Sequence, residues 1–167
     1  MSNRILLAAV IAGIILFLDQ LTKTLIAQNV ELHQRIPMLA GFFDLTHMRN
    51  PGAAFSFLAQ APDWFRQPFF LIATSVAIAA LIFFILYAQE EGAFFVIAAA
   101  SILGGAIGNL IDRLLYGEVI DFLLFYWHDW AWPAFNVADS CITIGVIGLL
   151  WASWKQPSTA PHEHAST

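Results

Sequence analysis

Four long apolar stretches divide the chain, near residues 5–27, 68–88, 93–115 and 135–154. Each approaches the ~20 residues that a helix needs to cross the hydrocarbon core of a bilayer. The pattern therefore predicts an all-α membrane bundle of four transmembrane helices. Polar positions inside the stretches are few and grouped. Asp19 and Lys23 lie late in the first, Asn109, Asp112 and Arg113 late in the third, and Asn136 and Asp139 at the start of the fourth. The second has no ionisable residue before Glu90 and Glu91 and begins at Pro68, a residue suited to a first helical turn, so it reads as a lipid-facing wall. The third carries Gly104, Gly105 and Gly108, and small residues four apart let helices approach closely in lipid.

Two intervening segments, 29–67 and 116–133, do not span. Residues 41–49 partly alternate apolar and polar side chains, as a strand does. Asn50-Pro51-Gly52 then reads as a turn, with residues 53–58 as the returning strand. The expected result is a small antiparallel element outside the bilayer core, because open sheet edges are not tolerated in hydrocarbon. In 116–133, Tyr126, Trp127, Trp130 and Trp132 fit an interfacial aromatic belt. Residues 156–167, rich in Pro, Ser, Thr and His, read as a disordered tail in which His162 and His164 are solvated. Arg4 precedes the first apolar run as in a signal peptide, but Asp19-Gln20-Leu21-Thr22-Lys23 follows instead of a small-x-small cleavage site, so this helix is expected to be retained. Residues 1–155 then form a single integral membrane domain, expected to be a monomer.

Composition agrees. The chain is 59% hydrophobic and 11% charged with mean hydropathy +0.71, whereas soluble domains are nearer one quarter charged. The net charge of -5 speaks against nucleic acid, which needs a basic face. Cys141 is the only cysteine, so no intrachain disulfide is possible. It lies in an apolar run with no histidine nearby in sequence, and reads as a small buried hydrophobe. No His/Cys ligand cluster suggests a metal, and no cofactor is expected.

An even number of spans puts both termini on one side of the membrane. The grouped polar positions then share the other side, together with Asp121 in Val119-Ile120-Asp121-Phe122 and the Asn50-Pro51-Gly52 turn. Each has a bland reading. Asp19 and Lys23 are spaced to neutralise each other. Asp112 and Arg113 can pair at a helix end. Asn136 and Asp139 can form an N-cap with its acidic partner three positions on. Clustered on one face, ionisable groups at membrane depth instead mark a site, organised around Asp121 and Asp139. Two close carboxylates in a poorly solvated site tend to share one proton, a state that can serve hydrolysis. A small transporter or proton-conducting bundle is the alternative, and a non-enzymatic assembly subunit using the Gly-rich helix is a third reading. Basic residues do not settle orientation. Arg4 and Lys155 lie on the terminal side, against Arg35, Arg49 and Arg66 opposite, so the count mildly opposes cytoplasmic termini.

Five stretches carry a further signal: residues 19–23, Arg49-Asn50-Pro51-Gly52-Ala53-Ala54-Phe55, residues 104–113 (through Gly108-Asn109-Leu110-Ile111-Asp112-Arg113), Gly117-Glu118-Val119-Ile120-Asp121-Phe122 and Phe135-Asn136-Val137-Ala138-Asp139. In this order and spacing the chain resembles the bacterial lipoprotein signal peptidase family (signal peptidase II) along nearly its whole length. The resemblance implies an aspartic endopeptidase with Asp121 and Asp139 as catalytic dyad. It further implies removal of signal peptides from diacylglyceryl-modified prolipoproteins, with cleavage before the lipidated cysteine. Carried over by motif, Asn50, Gly52, Asn109, Arg113 and Asn136 would line the substrate site, with Asp19 and Lys23 in support. The family's extramembrane parts imply a small β-cradle and a short, mobile periplasmic helix. Its setting implies the inner membrane, with membrane lipid as surroundings, termini cytoplasmic and the active site near the periplasmic face.

Overall fold

The computed structural model describes residues 3–52, 58, 60–87 and 92–155. Among them are four helices long and apolar enough to cross a membrane: α1 (Asn3–Asn29), α2 (Asp63–Tyr87), α3 (Ala93–Tyr116) and α4 (Val137–Lys155). A four-stranded antiparallel sheet accompanies them, in the order β1 (Arg35–Leu39), β2 (Phe43–Asn50), β3 (Val119–Trp127) and β4 (Trp130–Ala131). The short extramembrane helix expected beside the sheet does not occur among the described residues. The returning strand expected over 53–58 falls almost wholly outside them, as does the tail 156–167.

α3 is the helix against which the others pack. Its glycines allow this. A Cβ on Gly104 would stand 2.7 Å from the Ala12 carbonyl oxygen of α1, and one on Gly105 would stand 2.5 Å from that of Ala138 in α4. Apolar packing of Ala8, Val96, Ala99 and Ala100 fills the bundle away from the sheet. A second core lies where the end of α1 meets the sheet, with Ile26 and Val30 against Ile120 and Phe122. His47 of β2 clamps the same junction through its Nδ1, 2.9 Å from the Val30 carbonyl.

Four sequence expectations change. α2 starts at Asp63 and not at Pro68, which lies inside the helix. Residues 63–67 form a polar first turn in which Arg66 pairs with Asp63 and donates to the Ala61 carbonyl at 3.1 Å, and hydropathy alone does not detect such a turn. β2 takes β1 and β3 as partners, with Asn50 opposite Val119 and Met48 opposite Asp121. A register shift between Leu45 and Met48 bends the strand next to Asp121, as bulges do. α4 begins at Val137 because Phe135 is held by the sheet instead: its N–H donates to Leu123 (3.1 Å) and its carbonyl accepts from the Leu123 N–H (2.8 Å). Of the expected aromatic belt, Trp127, Trp130 and Trp132 are exposed. Tyr126 instead donates its hydroxyl to Asp44 (2.9 Å), with Arg35 stacked 4.7 Å over its ring.

Candidate active site

Local structure delivers each polar side chain to one place. Gly117 ends α3 in the left-handed region (φ 75°), closing the helix through its N–H to the Arg113 carbonyl and turning the chain directly into β3. Asp121 thus follows the last turn of α3 by a few residues. On the other flank, Asn136 caps α4. Its Oδ1 accepts from the Asp139 N–H (2.9 Å), and Asp139 Oδ2 accepts from the Asn136 N–H (3.3 Å). The reciprocal capping pair foreseen as a bland reading is therefore present, and it is the same structure that holds Asp139 at the site.

The two carboxylates are gripped by asparagines. Asp121 Oδ1 accepts from Asn136 Nδ2 (2.8 Å) and its Oδ2 from Asn50 Nδ2 (2.9 Å). Asp139 Oδ1 accepts from Asn109 Nδ2 (2.8 Å). Asp121 is 2% exposed. Burial first, and then the negative charge of Asp139, push its carboxyl up from the usual 3.8 to about 7, against the opposing pull of the Asn50 and Asn136 donors and of the Lys23 charge.

A fully buried ionic cluster underlies the site. The Lys23 ammonium lies 2.8 Å from Asp19 Oδ2, 3.0 Å from Asp112 Oδ2 and 2.9 Å from Asn109 Oδ1, so all three of its protons are used. Asp19 also accepts the Ala138 N–H (2.9 Å) from the first turn of α4, and Asp112 the Ile120 N–H (3.1 Å) from β3. Asp112 thus faces Lys23 and not its neighbour Arg113. Gln20 donates to Asp112 Oδ1 at 3.0 Å and to the Gly108 carbonyl at 3.2 Å. Gln20 had no assigned role in the sequence, and Asp112 only a helix-end pairing with Arg113, although both stand inside its quoted motifs. Gly108 leaves the room: a Cβ there would collide with the Asp19 carboxylate.

Arg113 lies on the opposite side of α3's end. It donates to the Gly52 carbonyl (3.2 Å) and stacks 5.0 Å over the Phe70 ring of α2. A pocket of about 640 Å³ opens here, with Asn109, Arg113 and Asp139 on its polar side and Trp132, Phe135 and Ile144 on its apolar side. Ile144 is itself 68% exposed on α4, so the pocket reaches the lipid-facing surface of the bundle. Asn50 and Gly52 line the pocket as well, whereas Asn136 is fully buried and faces the carboxylates instead. All nine sequence-selected residues therefore meet at the sheet end of the bundle, in two layers. The described residues include no group of three or more His, Cys, Asp or Glu able to hold a metal.

A family model described as Signal peptidase (SPase) II matches residues 11–155. The chain belongs to this family. Its members are membrane proteases that process prolipoproteins, and with four spanning helices the chain is a multi-pass protein of the bacterial inner membrane. It is 49% identical to a lipoprotein signal peptidase of Syntrophotalea carbinolica, over 91% of this chain and 92% of that one. A lipoprotein signal peptidase of Neisseria gonorrhoeae is 45% identical over 83% of each chain. A solved bacterial membrane enzyme structure superposes with a TM-score of 0.82 at 33% identity, covering 95% of this chain and 94% of the other.

Proposed function

We propose that this signal peptidase II family member is an aspartic endopeptidase in which Asp121 and Asp139 form the catalytic dyad. Its substrate is a diacylglyceryl-modified prolipoprotein, cut just before the lipidated cysteine. The observation that carries this reading is the pair of asparagine-held carboxylates, Asp139 half-buried on the pocket wall and Asp121 buried behind it, with Asn136 bonded to both. With Asp121 pushed up to about 7 by burial and by its anionic neighbour, the pair predominantly holds one proton below about pH 7. That is the state peptide hydrolysis needs. The ionised member takes a proton from water, and the protonated member polarises the scissile carbonyl. The pair then returns a proton to the leaving nitrogen. Because the dyad titrates as a unit, the proton belongs to the pair.

Asn109 and Arg113, which line the pocket, are suited to bind the substrate backbone and steady the developing oxyanion. Asn50 and Gly52 serve the same wall, Gly52 by fixing Arg113 through its carbonyl. Asn136 orients both carboxylates from behind. An apolar wall continuous with the lipid-facing side of α4 suits a membrane-anchored substrate arriving laterally with its acyl chains. Four spans with the site at one end fit cytoplasmic termini, a periplasmic-side active site, extramembrane segments 29–67 and 116–133, and a monomer as the working unit. Among the described residues, the buried charged side chains Asp19, Lys23, Asp44, Arg66, Asp112 and Asp121 stand at the sheet end, which favours a site at one face over a transport path.

The deciding experiment is cleavage of a diacylglyceryl-modified prolipoprotein by detergent-purified protein beside its Asp139→Asn variant. Cleavage before the lipidated cysteine, lost in the variant, is the expected outcome. Substantial turnover by the variant would refute the dyad. Ion flux in liposomes without proteolysis would revive the transport reading.

A further inference from the structure

The three asparagines at the site share one geometric device. An amide side chain has an accepting end and a donating end, and the donor it receives at its oxygen decides which way it points. Asn50 Oδ1 accepts the Gly52 N–H at 3.0 Å, and Asn136 Oδ1 accepts the Asp139 N–H at 2.9 Å. Both oxygens are thus held by main-chain N–H groups, which leaves the two NH2 groups for Asp121. Asn109 differs. Its Oδ1 accepts from the Lys23 ammonium at 2.9 Å, with a longer contact of 3.4 Å from Asn136 Nδ2, and its NH2 then faces Asp139 Oδ1 at 2.8 Å. The orientation of this one amide depends on a side chain from another helix.

We propose that Lys23, held between Asp19 and Asp112, is a positioning residue that fixes the Asn109 amide so that its NH2 faces Asp139. This rests on the dyad reading above. Lys23 is 1% exposed, and reaches neither the pocket surface nor a carboxylate of the dyad; its nearest path to the reacting groups runs through Asn109. The charged groups around the site are Asp19 and Lys23 on α1, Asp112 and Arg113 on α3, Asp121 on β3 and Asp139 on α4. A bulk charge effect of Lys23 on the dyad is therefore the rival explanation, and it can be separated. Without the ammonium, only the longer 3.4 Å contact from Asn136 Nδ2 holds the Asn109 oxygen, and a turn of the amide toward Asp139 would replace a donor by a repelling acceptor at a reacting carboxylate.

The test uses the full-length purified protein and the prolipoprotein cleavage assay, with kcat and KM measured separately and folding followed by thermal unfolding. Lys23→Met keeps the chain length and removes the donor. The double variant Lys23→Met/Asp112→Asn also removes the donor but keeps the net charge of the buried cluster unchanged, and the amide oxygen introduced at position 112 can still accept the Ile120 N–H. Both should lose about 10- to 100-fold in kcat with KM little changed, as small misplacements of reacting groups do. In an Asn109→Ala background, Lys23→Met should cause no further loss. Recovery of kcat in the charge-conserving double variant would assign Lys23 a bulk charge effect and overturn the proposal. So would losses that multiply in the Asn109→Ala background, or loss of the fold in both Lys23 variants. An Asp139→Asn control separates the two levels. Turnover by that variant sinks the dyad itself, whereas an inert Asp139→Asn beside fully active Lys23 variants sinks only the positioning role.

Discussion

Replacing Asp121 with Asn should change how stability depends on pH, and the direction follows from the environment of the carboxyl. In the fold its titration is pushed up to about 7, from 3.8 in the unfolded chain, by burial and by Asp139. Between those values the folded state binds the extra proton. The resulting stabilisation is fully present below about 3.8 and is lost as pH rises through about 7. The difference corresponds to about 4 kcal/mol. An asparagine at this position does not titrate, so the variant escapes this loss. It has its own cost, because Asn136 and Asn50 each donate to one oxygen of Asp121, and an amide offers only one oxygen. One donor is left facing an NH2, a loss of about 1 kcal/mol. The loss accrues from about pH 3.8 upward, so the variant should be the less stable protein below about pH 4 and the more stable one from about pH 5 to 8.5. Unfolding of the two proteins in the same detergent, followed by tryptophan fluorescence over a series of pH values, measures this. Parallel pH dependences, with no crossing, would show that Asp121 is not held protonated by its surroundings, and the shared-proton mechanism would lose its physical basis.

Other substitutions read different parts of the same arrangement. Gly105→Ala places a methyl 2.5 Å from the Ala138 carbonyl oxygen, so it should push the first turn of α4 off α3 and cost about 1–3 kcal/mol in thermal unfolding, with cleavage reduced because Asp139 moves with that turn. Asn136→Ala removes the cap of α4 and a donor to Asp121 together. It should cost about 1–2 kcal/mol from the cap alone, and cleavage should fall far more than the lost stability explains; a variant with wild-type kcat would exclude Asn136 from holding the dyad.

The spans were legible because hydropathy is a local property. Any window of the chain that must lie in lipid declares itself, and the ends of α1 and α3 fall within two residues of expectation. Where a helix leaves the hydrocarbon, that signal stops. The polar first turn of α2 was therefore missed, and Phe135 was counted as helical although a bridge to Leu123 claims it. Strand pairing was legible only as far as it is local. Alternation identified a strand over 41–49, yet its partners are set by contacts such as Asn50 with Val119, far apart in sequence, which leave no periodic trace.

The candidate residues themselves were present in the motifs, and the even number of spans brought them to one side. What each side chain does was decided by the tertiary structure. Successive residues on a helix point about 100° apart, so Asp112 and Arg113 had to face different ways. The packing of α1 and α2 against α3 settled that Asp112 meets Lys23 while Arg113 lies over Phe70. Asn136, expected at the pocket, is buried behind it because capping α4 turns its side chain inward. An asparagine in a sequence carries both a donor and an acceptor without direction. Only the N–H groups that the folded chain presents to its oxygen determine which end reaches the carboxylates.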